Sequence, residues 1–130
     1  MLVAVRFCKI ILMWSLLLWG CSVARQEVKR VRSPDGRVEA VLIQTNAGAT
    51  TGFGFEVFLV PAGANPKTGS ELFRADRVVN LDLHWRESMV LEIAYDQGRI
   101  FHFSNFWNSA DLDNFRYVVE VRLISRSPFR

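Results

Sequence analysis

The chain has 130 residues, a formal net charge of +3 and two cysteines, and half of its residues are hydrophobic. That length is one domain's worth, the small net charge gives no electrostatic footprint for nucleic acid, and two cysteines allow at most one disulfide. The first stretch has three parts. Arg6 and Lys9 supply a short positive region, and Ile10 to Trp19 is an apolar run broken only by Ser15. A transmembrane helix needs about 20 apolar residues, roughly twice this core. A short apolar core after positive charge reads as a cleaved secretion signal over residues 1–20.

The signal ends in Leu18-Trp19-Gly20-Cys21. This resembles the lipobox of bacterial lipoproteins, with Trp19 standing where a small or aliphatic residue is usual. The resemblance implies that the Cys21 thiol takes a diacylglyceryl group and becomes the first residue of the mature protein. The residues alone also allow an uncleaved anchor or an ordinary signal. Ser22 follows Cys21, not Asp, which in enteric-type bacteria goes with the outer membrane. The expected location is therefore a lipid anchor in a cell membrane, the outer membrane facing the periplasm. Two or more acyl chains hold a protein stably on a bilayer without spanning it, so the bilayer is the first expected partner.

Processing simplifies the rest. Cys8 leaves with the signal and Cys21 carries lipid, so the mature domain has no thiol, no disulfide and no Cys-based metal site. Without Arg6 and Lys9, fourteen basic side chains face thirteen acidic ones, a net of +1. Residues 21–26 read as a lipidated tether. Arg25, Lys29, Arg30 and Arg32 follow the anchor closely. They suit a solvated tether or edge strand, or contact with anionic headgroups.

From there the pattern is period-two alternation. Glu27–Arg32 and Arg37–Thr45 flank Ser33-Pro34-Asp35-Gly36, where Pro presets a turn and Gly takes a positive φ, so a hairpin is predicted. Asn46 to Gly52 leads to a strand with Phe53, Phe55, Val57 and Leu59 on one face. Pro61 to Ser70 is a long polar loop. Val79, Leu81, Leu83 and Trp85 share the next face, Met89, Leu91, Ile93 and Tyr95 another, and Tyr117, Val119, Val121 and Leu123 the last. Phe101 and Phe103 keep step but Phe106 does not, which predicts a bulge or a strand end there. Ser109 to Asn114 has room for one helical turn. The expectation is an all-β fold: one small antiparallel sandwich or barrel-like domain over 27–125, of about seven or eight strands, with 126–130 as a tail. The Ser-Pro-Asp-Gly turn is also a device of β-propeller blades, but one copy cannot make a propeller.

Few residues point to chemistry. The connection with Asn46, Gly48, Thr50, Thr51 and Gly52 is uncharged and can offer backbone N–H groups and hydroxyls to an anion or carbonyl. It lacks the Lys of a nucleotide-binding loop, and it equally suits a glycine-shaped turn that satisfies its own backbone. Ser33-Pro34-Asp35-Gly36 followed by Gly48-Ala49-Thr50-Thr51-Gly52-Phe53 resembles a family of small, uncharacterised bacterial secreted proteins and lipoproteins. The likeness covers roughly residues 30–60 and implies a shared fold without an activity. Ala47 stands where those sequences often carry Cys.

His84 and His102 lie in strands opposite apolar faces. Two histidines do not make a zinc site, and nothing in the sequence sets a nucleophile beside either. Asp111, Asp113 and Asn114 lack the Gly and distant Glu of a calcium loop. No motif calls for a metal or cofactor. Phe106-Trp107 is the notable pair, because neighbours on a strand cannot both face one core; one of them is expected at the surface as a binding aromatic. The reading favoured is a non-catalytic, membrane-anchored domain that binds an envelope protein or glycan. The alternatives are an inhibitor of a secreted enzyme and a small hydrolase using His84 or His102.

Overall fold

The computed structural model describes residues 24–46 and 52–127. The expected signal, Cys21, and the loop residues Gly48, Thr50 and Thr51 lie outside the described residues. The chain forms β1 (Ala24–Arg32), β2 (Val38–Asn46), β3 (Phe53–Pro61), β4 (Phe73–Val79), β5 (Asp82–Glu87), β6 (Val90–Tyr95), β7 (Gln97–Phe103), β8 (Phe106–Trp107) and β9 (Val119–Ser125). One sheet runs β1-β2-β3-β4-β7 and the other β5-β6-β9-β8. The fold is all-β and mostly antiparallel; among the described residues the sole helical element is one 3-10 turn at Asp113–Phe115.

The alternating apolar sets explain why the two sheets meet face to face. Val38, Ala40, Leu42, Val57 and Leu59 of the first sheet share one core with Leu83, Trp85, Leu91, Ile93, Val119 and Val121 of the second. Leu91, Ile93 and Val119 are wholly buried. Burying one such side chain contributes roughly 1.5–3 kcal/mol. The edges are tied as well: Trp85 Nε1 donates to the Val31 carbonyl at 2.9 Å, and Lys29 pairs with Asp82 at 2.6 Å.

The first hairpin forms as its turn residues predict. Ser33 N donates to the Val38 carbonyl at 2.8 Å, and Gly36 adopts φ +76. A second glycine is dictated by space. A Cβ on Gly54 would stand 2.5 Å from the Thr45 hydroxyl across the β2–β3 ladder.

The structure corrects the sequence reading in three places and sharpens it in two. The run from Val79 to Trp85 is not one strand. Val79 ends β4 in the first sheet, and Leu83 and Trp85 belong to β5 in the second. Asn80, with φ 54, makes the corner between them. The strand end expected near Phe106 is found: the chain leaves β7 at Phe103 and enters β8 of the other sheet at Phe106, which is why Phe106 falls out of step. The β6–β9 pair is parallel, because the chain crosses the sandwich through β7 between them. The expected tether is partly strand: Ala24, Arg25 and Gln26 pair with Asn46, Thr45 and Gln44. Finally, the basic cluster lies on an edge strand, as one of the two expectations had it, and is internally neutralised. Arg25 binds Glu56, Lys29 binds Asp82, and Arg30 and Arg32 flank Glu39.

That neutralisation covers a second apolar cluster on the outer face of the first sheet. Val41, Phe58 and Val60 are buried there, with Ile43 and Ala64 against them. The Arg25 guanidinium lies 6.0 Å from the Phe58 ring centroid, and Arg30 Nη1 donates to the Ala64 carbonyl at 3.0 Å. The described start of the C-terminal tail is docked too, with Arg126 N donating to the Tyr95 carbonyl at 2.8 Å.

The Trp85–Val31 bond is expected to matter for stability. Trp85→Phe removes the donor and leaves a part-buried carbonyl without it, so the unfolding free energy should drop by about 2 kcal/mol. Urea unfolding of parent and variant measures this; an unchanged midpoint would show that the inter-sheet bond contributes nothing.

Candidate functional site

The register gives the sandwich two unlike ends. Ala24, Asn46 and Phe53 stand side by side at the end where β1 begins. The Ser33–Gly36 turn, the loop after Pro61, the Ser88 turn and the segment 104–118 gather at the other end. These ends are called proximal and distal here. Nine-residue strands such as β2 separate them by roughly 30 Å.

The distal end holds a cleft of about 180 Å³ between the loop after β3 and the segment after β8. Asn65, Lys67 and Ser70 line one side, and Trp107, Asn108, Ser109 and Asp111 the other. Trp107 is half-buried and packs against the main core, while its neighbour Phe106 is 55% exposed. One residue of the pair is thus at the surface, and the other forms part of a cleft.

Beside this cleft is a charged clasp that the sequence did not reveal. Asp35, in the first turn, accepts hydrogen bonds from the Ser33 hydroxyl (2.6 Å), the Arg37 amide (3.1 Å) and the Tyr117 hydroxyl. Arg37 reaches Asp113 with two nitrogens at 3.1 and 3.2 Å and stacks over the Tyr117 ring at 4.6 Å. The parts come from positions more than 75 residues apart in sequence, so no spacing signal could have joined them.

The clasp holds a strained segment. Asp113, Asn114 and Phe115 all have positive φ, at 50, 48 and 68. The left-handed conformation costs a non-glycine residue roughly 1–2 kcal/mol and persists only where its surroundings fix it. Here the fixing contacts are visible. Arg37 grips Asp113, and the Ser109 carbonyl accepts from the Leu112 and Phe115 amides at 3.2 and 3.0 Å. Leu112 is buried as an anchor, while Phe115 is 52% exposed. The polar turn expected at Ser109 to Asn114 is therefore a rigid support that presents an aromatic ring.

The electrostatics follow from these contacts. Desolvation works to raise the Asp35 carboxyl, but the hydrogen bonds from Ser33, Tyr117 and the Arg37 amide, with the Arg37 charge, outweigh it and leave it below its ordinary value. The Arg37 hydrogen bond and charge lower Asp113. Burial, then the hydrogen bond to Asp35 and its negative charge, push the Tyr117 phenol up to about 12. At neutral pH Asp35 is thus an anion and Tyr117 a neutral donor.

The remaining sequence candidates separate. Asn46 and Gly52 flank the Gly/Thr connection at the proximal end, next to a second cleft of about 330 Å³ lined by Arg25, Gln26, Gln44 and Phe53. His84, opposite Glu92, lies on the outer face of the second sheet; His102, opposite Arg74, lies on the outer face of the first. Both are exposed, so they cannot share a site. Among the described residues no group of three or more His, Cys, Asp and Glu is placed to hold a metal. The chain matches no family model, no curated protein and no solved structure.

The Tyr117 phenol offers a direct check on the clasp. In a Tyr95→Phe background its ultraviolet titration is expected near 12, and Asp35→Asn should return it toward 10.0, the ordinary value. The raised phenol stabilises the fold fully below its unfolded value, and that contribution disappears as pH rises through about 12. Asp35 and Asp113 act in the opposite direction, because their lowered carboxyls lose their contribution as pH falls below 3.8. An identical Tyr117 titration with and without Asp35 would remove the clasp from the account.

Proposed function

We propose that this chain is an envelope lipoprotein, held to a membrane through acylated Cys21, whose sandwich acts as a non-catalytic binding module. The distal cleft at Trp107 would be its recognition site, and an envelope glycan or protein its ligand. One observation carries this reading: β1 starts three residues after Cys21, and the Trp107 cleft is at the opposite end of the sandwich. A domain tethered at Ala24 directs that cleft away from its own membrane.

The chemistry of the cleft agrees. An indole wall edged by two amides, two hydroxyls and one charge of each sign suits a ligand rich in hydroxyl and amide groups. Such groups orient a ligand while the aromatic surface supplies contact area. The clasp adds preorganisation, since a loop already fixed costs less to order on binding.

The exposed Phe106 and the rigidly held Phe115 favour a second reading, in which the distal end docks on a protein, including the case of an inhibitor of a secreted enzyme. Both readings use the same end and differ in whether the cleft or the projecting rings matter more.

Two experiments test the proposal. Cys21→Ala should release the protein from membranes or leave the precursor uncut; unchanged mass and unchanged membrane association would refute the anchor. The intact lipoprotein, incubated with isolated cell-wall glycan and with solubilised envelope, should retain a ligand that Asn108→Ala and Lys67→Glu weaken by roughly tenfold, as for a central contact residue. Lys67 is exposed; Asn108 is half-buried and its amide reaches the Phe115 carbonyl at 3.5 Å, so circular dichroism of that variant must match the parent for the loss to count. A Thr50→Ala, Thr51→Ala double variant should bind as the parent does. If it alone loses the ligand, the Gly/Thr loop, and not the Trp107 cleft, is the site. A Phe115→Ser variant that loses a protein partner while glycan retention is unaffected would favour the second reading.

A further inference from the structure

We infer that the proximal end of the sandwich lies against the membrane that holds its anchor, with Phe53 and Val79 at the headgroup layer and Arg77 facing the lipid phosphates. The inference rests on the acylation of Cys21. It adds that the domain is not a free body on a leash but is seated on the bilayer by its own surface.

The geometry leaves little freedom. Three residue steps separate Cys21 from Ala24, the first residue of β1. Fully extended, they span at most about 11 Å. Ala24 pairs with Asn46, and Asn46 with Phe53. At the usual strand spacing Phe53 is about 10 Å from Ala24 across the sheet. A lipid held at Cys21 therefore keeps this whole edge within reach of the headgroups. Because Ala24 to Gln26 are already strand, slack in the tether is small.

The surface presented there is suited to that contact. Phe53 is 54% exposed and Val79 46% exposed, although both sit in strands whose other apolar residues are covered. Interfacial aromatic rings favour the headgroup level. The charge is arranged to match. The carboxylates at this end are each engaged by a cation: Glu56 by Arg25, Asp76 by Arg99, Asp82 by Lys29 and Asp96 by Arg126. Arg77 is exposed and makes no ion pair among the described residues, and φ 53 turns it out of the β4 ladder at the level of Phe53. The end thus offers apolar side chains, paired anions and one exposed cation, Arg77, whose charge is felt by Asp76, a carboxylate already bridged to Arg99.

The mature protein has no free thiol once Cys21 is acylated, which allows single-site labelling of the intact lipoprotein. Phe53→Cys, Val79→Cys, Lys67→Cys and Asn114→Cys would each carry a polarity-sensitive fluorophore. The labelled lipoproteins would be reconstituted in phosphatidylcholine–phosphatidylglycerol vesicles containing headgroup-region spin-labelled lipid. Quenching at positions 53 and 79 is expected to exceed that at the distal positions 67 and 114 by about threefold or more. Arg77→Glu, combined with Val79→Cys, should reduce the quenching at 79, and raising salt should do the same. Equal quenching at all four positions, in protein whose mass confirms acylation and which floats with the vesicles, would overturn the seating while leaving the anchor intact. A mass without acyl chains and a failure to float would overturn both.

Discussion

Everything in this domain depends on the apolar seam between β2–β3 and β6–β9. Both cysteines of the sequence, Cys8 and Cys21, precede β1, so the described strands carry no disulfide and no cysteine ligand, and their core supplies the stability. It does so with the inward sets of two central strands in each sheet, where Leu91, Ile93, Val57 and Val119 are wholly buried. Central strands are the place to concentrate such residues, because they have neighbours on both edges and their ladders are complete. The edge strands β1, β5, β7 and β8 carry the charged and half-exposed residues. Charged edges also discourage pairing with another chain.

The β2–β3 pair is buried on both faces, and this explains how the N-terminal strand earns its charges. Val41 and Phe58 point away from the main core yet have no exposure. Their outer side is bordered by Arg25 and Arg30, whose alkyl and guanidinium parts can cover apolar surface while their charges pair with Glu56 and Glu39. Glu39 is itself buried, and burying a lone carboxylate would be costly. Two arginines and the Gly63 amide, at 2.5 Å, offset that cost. The basic cluster of β1 is therefore a structural lid, its charge taken up by carboxylates of the same domain.

How much of this could be read from sequence follows from what alternation encodes. Period two reports which residues share a face, so the core sets of β2, β3, β6 and β9 were legible, as was the Ser-Pro-Asp-Gly hairpin. Alternation does not report which sheet a strand joins. Val79 to Trp85 keeps a perfect phase through Asn80, so the corner between sheets was invisible; only the tolerance of Asn for positive φ hinted at it. The parallel β6–β9 pair was hidden because parallel pairing depends on where the chain goes between two strands, here through β7 and β8. At the site, Phe106-Trp107 stood out because adjacent aromatics violate a single-faced strand. The clasp did not, since Asp35, Arg37, Asp113 and Tyr117 each look ordinary and meet only when the sheets close.

The same closure gives the distal end its rigidity. Arg37 follows the first turn and Tyr117 precedes the last strand, so the two chain regions that bracket the domain are joined at one point. Arg37 both neutralises Asp113 and covers the Tyr117 ring, while Asp35 and the Ser88 carbonyl accept hydrogen bonds from the Tyr117 hydroxyl. These contacts fix three successive left-handed residues whose conformation would not persist in a free loop. A segment held this firmly can lose few further degrees of freedom on contact with a ligand, whereas a mobile loop would lose many. Thus the strain at Asp113–Phe115 is stabilised by the fold in advance, and the exposed ring of Phe115 and the wall of the Trp107 cleft are presented in one defined arrangement, at the end of the sandwich farthest from Ala24.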